Sequence, residues 1–155
     1  MKVTLLMIGR TEEEYLRNGF MEYESRIRHY LSLTTIIVPG LKQKNISVQQ
    51  QKQEEAELLL KRLNPEDVVI LLDEKGKHYT SQAFAGFIQD KMNAGIKNMV
   101  FVIGGPFGFD SKMYQRANGT VSLSLMTFSH QMVRLIFAEQ LYRAMTILRK
   151  EPYHH

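Results

Sequence analysis

DVVILL, residues Asp67–Leu72, is the stretch of this chain that decides its fold. The run is almost wholly apolar. That is typical of a strand covered on both faces, whereas a strand with one face in water alternates apolar and polar residues. It follows Asn64-Pro65, a pair that interrupts the preceding helical pattern. We therefore predict a buried strand at this position, of the kind found in parallel sheets.

Strands and helices are predicted to alternate along the whole chain. Apolar or β-branched runs predict strands at Lys2–Gly9, Leu33–Val38, Asp67–Leu72, Asn98–Ile103 and Thr120–Leu125. Helices are predicted after Thr11, after Ser47, from Thr80 or Ser81, from Asp110, and over His130–Lys150. This alternation indicates an α/β fold, with a mostly parallel sheet covered by helices on both faces. No linker divides residues 1–155, so a single domain is expected.

Several helix starts are marked by side chains that can accept hydrogen bonds from free backbone N–H groups. The run Thr11–Glu14 (TEEE) predicts a capping box, in which Thr11 accepts a backbone hydrogen bond and the last glutamate reaches back. Ser47 and Asp110 predict caps for the second and fourth helices. The charged segment Asp73–Lys77 predicts a tight loop after the third strand.

The composition is that of an ordinary globular domain, with 44% hydrophobic and 23% charged residues in a chain of 155. The chain has no cysteine, which excludes disulfides, thiolate nucleophiles and cysteine-ligated zinc. The N-terminal apolar run lacks the features of a signal peptide, and no stretch approaches the ~20 apolar residues of a membrane span. We expect a cytoplasmic protein without a membrane partner.

Positive charge is concentrated towards the C-terminus. The net charge is +4, and residues 110–155 hold six lysines and arginines against three acidic residues, with three of the five histidines. A mildly basic region of this kind favours a polyanionic partner such as a nucleic acid, although many basic proteins bind none.

Ligands in open α/β sheets bind at the carboxyl ends of the strands. The segments to consider are therefore Gly9–Thr11, Asp73–Lys77, Gly104–Phe109 and Leu125–Ser129. The first of them has a single glycine, and the chain contains no GxGxxG, GxxxxGK[ST], GxSxG or HExxH motif. Dinucleotide binding of the usual kind and P-loop nucleotide binding are thereby disfavoured.

Two of these segments are candidates for ligand contact. Gly104–Phe109 (GGPFGF) has three glycines within five positions, which allow the backbone to approach a ligand closely, although a plain strand-to-helix turn has the same pattern. Ser122–His130 mixes hydroxyl and apolar side chains, as a nucleoside site would, or as a strand edge with a serine cap would. For His130 and Arg134, a structural cap and a surface role are the ordinary expectations.

These segments together resemble the RlmH family of the SPOUT methyltransferases. The matching pieces are LLDEKG at Leu71–Gly76, VIGGPFG at Val102–Gly108, SLSLMTFSHQMVRLIFAEQLYRA at Ser122–Ala144, and PYH at Pro152–His154. The N-terminal MKVTLLMIGR fits as well, so the resemblance spans the whole chain. The run Ser122–Ala144, joined to the terminal PYH, is its specific part.

The resemblance implies properties that residue spacing does not show. The fold would be SPOUT-like, with a C-terminal trefoil knot, and the protein would be a homodimer with its sites at the subunit interface. The cofactor would be S-adenosylmethionine, and no metal would be needed. The substrate would be a pseudouridine in helix 69 of 23S ribosomal RNA, methylated at N3 on the assembled ribosome.

The resemblance also assigns site residues. The cofactor pocket would be formed by Leu72, Gly105, Ser124, Leu125, Met126, Thr127, Phe128 and Ser129. Catalytic or RNA-facing candidates are His130, Arg134, Tyr153 and His154. His154 is the first choice for the base that removes the N3 proton and His130 the second, while Arg134 would stabilise developing charge and Tyr153 would stack on or orient the base.

Two positions depart from the family pattern. Phe107 stands where similar loops often carry an acidic residue, and Ser129 stands where a proline often precedes the helix histidine. Two other functions are compatible with the sequence pattern. One is a non-catalytic ribosome- or RNA-binding factor of the same fold; the other is an α/β oxidoreductase, which the missing first-turn glycines disfavour.

Overall fold

The computed structural model describes residues 1–43 and 45–155. Within these residues, strands and helices alternate throughout. The elements are β1 (Lys2–Ile8), α1 (Glu14–Ile27), β2 (Ser32–Val38), α2 (Val48–Leu60), β3 (Val68–His78), α3 (Ser81–Asn93), β4 (Asn98–Ile103), α4 (Ser111–Arg116), β5 (Gly119–Ser122) and α5 (Met132–Leu148).

The strands form one sheet in the order β2-β1-β4-β3-β5, and every pair of neighbours is parallel. The predicted parallel sheet is therefore confirmed. Because all strands run the same way, their carboxyl ends meet at one edge of the sheet. The loops that follow β1, β3, β4 and β5 are thus brought to the same side of the molecule.

Helices cover both faces of the sheet, as the apolar strands predicted. Val3, Leu5 and Met7 of β1 belong to one hydrophobic core, and Leu6 and Ile8 belong to the other. This alternation follows from the two-residue period of a strand. The first core includes Phe20 of α1, Phe84 of α3 and Phe137 of α5, and the second includes Leu59 of α2 and Met113 of α4.

Two predicted caps are confirmed: Ser47 accepts a hydrogen bond from the backbone N–H of Gln50 at 3.1 Å, and Asp110 accepts one from Lys112 at 3.0 Å. Thr80, one of the two predicted starts of the third helix, accepts from the N–H of Ala83 at 3.1 Å, so α3 begins at Ser81.

The predicted capping box at Thr11 is wrong. Helix α1 begins two residues later, with Glu13 at the N-cap position and no side-chain cap hydrogen bond. The Thr11 hydroxyl instead accepts a hydrogen bond of 3.0 Å from the buried guanidinium of Arg134. Thus Arg134, far away in sequence, occupies the hydroxyl oxygen of Thr11 that the local pattern had assigned to capping α1.

The predicted loop at Asp73–Lys77 is also wrong, because β3 continues through it to His78. Leu72 and Lys77 both lie opposite Val121 of β5, so the intervening residues form an irregularity in the strand. Gly76 permits this arrangement. A Cβ there would lie 2.7 Å from the carbonyl carbon of Val121, closer than two non-bonded carbons can approach.

Two other boundaries differ from prediction. β5 ends at Ser122 rather than Leu125, and α5 begins at Met132 rather than His130. The segment between them is consequently longer than the sequence pattern suggested. The trefoil knot implied by the family resemblance stays a prediction. In the described part of the chain, every helix is too short or too polar to span a membrane.

Candidate active site

A cleft of about 640 Å³ opens at the carboxyl edge of the sheet. Three chain segments that are far apart in sequence form its walls: the irregular part of β3, the glycine loop (Gly104–Phe109) after β4, and the segment after β5. The cleft is lined by Leu72–Lys75, Ile103–Phe109, Val121–Ser124 and Met126–Phe128, together with Lys52, Tyr114, His130 and Val133. Its volume lies in the range of sites that take small molecules and cofactors.

Most of the residues assigned to the cofactor pocket line this cleft. They are Leu72, Gly105, Ser124, Met126, Thr127 and Phe128. Leu125 and Ser129 lie outside its lining. The side chain of Leu125 is 89% exposed, and the Ser129 hydroxyl accepts a hydrogen bond of 3.1 Å from the backbone N–H of Met132, as a helix cap does.

The glycine loop turns tightly over the end of β4. Gly108 has φ of +76°, a left-handed conformation that favours glycine, and its N–H donates to the carbonyl oxygen of Gly105 at 3.3 Å. Gly105 has no space for a side chain, because a Cβ there would lie 2.6 Å from the carboxylate oxygens of Glu55. Phe107, at the position where the resemblance leads us to expect an acidic residue, is half-exposed at the cleft.

Glu55 of α2 is a residue that the sequence analysis missed. Its side chain is only 4% exposed, and burial raises the pKa of its carboxyl, while hydrogen bonds from Gln51 and the Gly105 backbone act in the opposite direction. Spacing could have indicated it, because Glu55 precedes the buried Leu59 by four residues and thus shares its helix face.

Carboxylates from β3 form a polar wall of the cleft. The Tyr114 hydroxyl donates a hydrogen bond to Asp73; burial first, and then this carboxylate, raises the pKa of the tyrosine. The Thr127 hydroxyl donates to Glu74 at 3.0 Å. The second contact ties the segment after β5 to the irregular part of β3, so two walls of the cleft are linked directly.

His130 lies at the cleft, half-buried just before α5. Burial lowers the pKa of its imidazole, the positive charge of Arg134 lowers it further, and Glu12 opposes both. Burial is the largest of these causes, and the net direction favours the neutral imidazole. A neutral imidazole is able to accept a proton.

The lowered pKa of His130 should make stability depend on pH. The unfolded chain binds a proton at its ordinary pKa, near 6.5, whereas the folded chain does so only at lower pH. Stability is therefore full above about pH 6.5 and falls as pH falls towards the folded pKa. We expect the decrease in thermal midpoint between about pH 7.5 and 5.5 to be smaller in His130→Gln than in the wild type. An unchanged pH slope would contradict this, and His29→Gln, at an exposed position, is the control.

Arg134 is buried, with 1% of its surface exposed. Its Nη1 donates to the carbonyl oxygen of Gly9 at 2.9 Å and to Thr11, and its Nη2 donates to the carbonyl oxygen of Ile8 at 2.5 Å. The guanidinium thus faces the end of β1, and burial lowers its pKa. These contacts fasten the start of α5, with His130 one turn before, to the sheet edge.

Tyr153 and His154 lie outside the cleft, in what we term the tail cluster (Tyr23, Glu139, Arg143, Tyr153 and His154). The Tyr153 hydroxyl contacts Glu139 at 3.1 Å and the Tyr23 hydroxyl at 3.2 Å. Arg143 lies 4.7 Å from the centre of the Tyr153 ring and 3.5 Å from Nδ1 of His154. The tail is therefore held against α1 and α5, and of the four catalytic candidates only His130 lines the cleft of its own chain.

No group of three or more metal-binding side chains occurs in residues 1–43 and 45–155.

Comparison with known proteins identifies the family. The family model described as "Predicted SPOUT methyltransferase" matches residues 1–154. The chain belongs to the SPOUT methyltransferase family. The resemblance drawn from the sequence motifs is thereby confirmed, and the α/β fold with its parallel sheet is that of a SPOUT methyltransferase.

Close relatives carry a more specific name. A protein from Phocaeicola vulgatus named "Ribosomal RNA large subunit methyltransferase H" is 54% identical over 100% of this chain and 99% of its own length. A protein of the same name from Bacteroides thetaiotaomicron is 52% identical with the same coverage. The SPOUT chain described here is thus similar to them from end to end.

Solved structures agree on the fold. A probable methyltransferase from Bordetella pertussis Tohama I has a TM-score of 0.54 at 12% identity, covering 93% of this chain and 96% of that one. A probable methylase family protein from Haemophilus influenzae Rd KW20 has a TM-score of 0.53 at 11% identity, covering 99% of this chain and 70% of that one. At such low identity the likeness shows the SPOUT fold alone.

Proposed function

We propose that this protein is an S-adenosylmethionine-dependent methyltransferase of the large-subunit ribosomal RNA. Its substrate is a pseudouridine in helix 69 of 23S ribosomal RNA, methylated at N3 on the assembled ribosome, and it acts as a homodimer in the cytoplasm. The observation that carries the proposal is the cleft, which gathers Leu72, Gly105 and Ser124 from three separate segments. End-to-end identity above 50% to relatives named for rRNA methylation supports it.

The residues of the cleft fit S-adenosylmethionine. Leu72, Val121 and Leu123 offer an apolar wall for an adenine ring, and the bare backbone at Gly105 allows close approach of a ligand. The carboxylates of Asp73 and Glu74 line the same cleft and complement a positively charged ligand. When bound, S-adenosylmethionine supplies an electrophilic methyl group on a sulfonium sulfur.

The chemistry that remains for the protein is positioning and proton removal. The protein would hold the pseudouridine facing the methyl donor, and good alignment accounts for much of the rate gain. The N3 atom carries a proton, which would pass to a base on the protein. We assign that role first to His154 and second to His130, with Tyr153 stacking on or orienting the uracil ring. Arg134 contributes by holding the start of α5 against β1.

We also propose that the tail of one protomer serves the cleft of its partner. Support comes from the placement of Tyr153 and His154 in the tail cluster, away from the cleft of their own chain. In a homodimer with its sites at the subunit interface, each cleft receives the tail of the partner subunit, and the tail cluster of each subunit stays folded.

We assign RNA contact to the basic C-terminal third of the chain and to the same region of the partner subunit. Because phosphate contacts release counterions, binding to the ribosome should weaken steeply as salt increases. The modest charge of +4 favours recognition of the assembled ribosome over naked RNA.

The decisive experiment has two arms. Calorimetry tests whether the purified protein binds S-adenosylmethionine, and radiolabelled methyl transfer is measured to ribosomes from a strain that lacks the corresponding methylase. Binding together with incorporation at N3 of the helix 69 pseudouridine supports the proposal. Ribosome binding without either result would instead indicate a non-catalytic factor of the same fold.

A further inference from the structure

We propose that Glu55 is a positioning residue of the cofactor site, whose buried carboxylate holds the backbone of the glycine loop in the shape that the methyl donor requires. The inference rests on the proposed function for the identity of the ligand. Its structural part, the contact between Glu55 and Gly105, does not depend on it.

The burial of this carboxylate needs an explanation. Burying a charged group is costly unless it is paired or hydrogen-bonded. Glu55 is 4% exposed, and none of the ion pairs found in the described part of the chain involves it. Its hydrogen-bond partner is the side-chain amide of Gln51, at 3.0 Å, and its carboxylate oxygens lie against the backbone of Gly105, whose N–H donates to them in the arrangement proposed. Gln51 lies on the same helix, so of these two contacts the one with Gly105 joins Glu55 to another part of the fold.

Contact between the carboxylate and the loop is unusually close. A Cβ at Gly105 would lie 2.6 Å from each carboxylate oxygen of Glu55, so any other residue would displace either the loop or the glutamate. The next residue, Pro106, has no N–H to donate. The N–H of Gly105 is therefore the donor by which this end of the loop can be fixed to α2.

The glycine loop is shared between the cleft and the cavity that Glu55 lines. Gly105 and Pro106 line both the main cleft and a smaller cavity of about 190 Å³, and Glu55 lines the smaller cavity. A shift of the carboxylate would thus be transmitted directly to the cleft wall.

The hydrogen bond also sets the direction of a carbonyl group. In a trans peptide the C=O of one residue and the N–H of the next point in opposite directions, and the described residues contain no cis peptide bond. With the N–H of Gly105 donating to Glu55, as the proposal requires, the C=O of Gly104 would point to the opposite side of the loop. Gly104 lines the cleft, so its carbonyl oxygen is available there for an N–H donor of a ligand, such as the amino group of adenine.

The experiment compares Glu55→Ala and Glu55→Gln with the wild type, and uses Glu57→Gln, an exposed position on the same helix, as the matched control. In the absence of any ligand, NMR should show a shifted and faster-exchanging Gly105 amide in Glu55→Ala. Calorimetry should show S-adenosylmethionine binding about tenfold to a hundredfold more weakly, as expected for loss of a hydrogen bond to a charged group. Glu55→Gln keeps an accepting oxygen and should lose less, and Glu57→Gln should match the wild type.

A double substitution tests the contact itself. Gly105→Ala alone should weaken cofactor binding, because its Cβ meets the carboxylate. In Glu55→Ala/Gly105→Ala the shorter side chain at position 55 leaves space for the new Cβ. The factor by which cofactor affinity falls should therefore be smaller than the product of the factors for the two single variants.

The outcomes separate this inference from the proposed function. If the wild type does not bind S-adenosylmethionine, the proposed function fails, and the NMR arm still decides whether Glu55 holds Gly105. If the wild type binds and Glu55→Ala binds equally well, the positioning role is overturned, even if the thermal midpoint falls. If Glu55→Ala does not fold, an unchanged Gly105 amide and unchanged binding in Glu55→Met, which fills similar space without an accepting oxygen, would overturn it.

Discussion

Deletion of Pro152–His155 is expected to lower the rate of methyl transfer to ribosomes by about 100-fold or more, because a positioned general base contributes roughly 10²–10⁴ to such a step. Affinity for S-adenosylmethionine should stay within about twofold, since the cleft is lined by residues of other segments. The measurement is single-turnover incorporation of label into ribosomes, with calorimetry of the cofactor on the same preparation.

Single substitutions refine this result. His154→Ala should reproduce most of the loss, and Tyr153→Phe should lose less, because the ring remains while its hydrogen bonds to Glu139 and Tyr23 are removed. His155→Ala, at an exposed position, serves as the control. Methylation that survives the deletion intact would show that the tail has no catalytic role.

A mixing experiment tests which cleft the tail serves. Tail-deleted protein is combined with Gly105→Ala protein, at a cofactor concentration low enough that neither methylates appreciably alone. If the tail acts on the partner subunit, mixed dimers contain one complete site and activity returns. If each tail serves its own chain, the mixture should stay inactive.

The substitution Arg134→Met is expected to lower the free energy of unfolding by about 3 kcal/mol, because removing a buried charged donor leaves its partners unsatisfied. The carbonyl oxygen of Ile8, in a buried contact, and the carbonyl oxygen of Gly9 and hydroxyl of Thr11, in partly buried ones, would lose their donor. For a chain of this size, the thermal midpoint should fall by about 6–12 °C.

The control variants distinguish a structural role from a catalytic one. Arg134→Lys should lose part of the stability, because one ammonium group cannot reproduce the two-pronged contact of the guanidinium. Arg17→Met, at an exposed position of α1, should leave the midpoint unchanged. If Arg134→Met retained its midpoint and bound the cofactor but lost methyl transfer, Arg134 would act in the chemistry and not in holding α5.

The fold was largely predictable because the strands can be recognised by their apolar and β-branched residues. DVVILL is apolar since it lies inside the sheet, between β4 and β5, with helices above and below. The predicted capping box is wrong because of a long-range contact, which no local sequence pattern reveals. The donor that takes the Thr11 hydroxyl belongs to Arg134, 123 residues away in sequence. Asp73–Lys77 has the composition of a loop, but Gly76 lets the strand stay beside β5.

The site was predictable only in part. The resemblance located the segments of the cleft, yet it gave no reason to look at α2, and Glu55 reaches the glycine loop through tertiary packing. Leu125 was assigned to the pocket by its neighbours in sequence, whereas its side chain extends into solvent. The position of Tyr153 depends on Tyr23, 130 residues earlier, and such a contact leaves no periodic trace in the sequence.

The position of β4 has a consequence for biosynthesis. In the sheet β4 lies between β1 and β3, although it follows both along the chain, and it pairs Lys2 with Asn98. A nascent chain that has not yet released β4 cannot join its N-terminal strands to β3, and one edge of β1 stays open to other chains. Sheet closure therefore comes late in synthesis and depends on contacts distant in sequence, which fold slowly. Chaperone protection should matter most for a translation product paused shortly before residue 98.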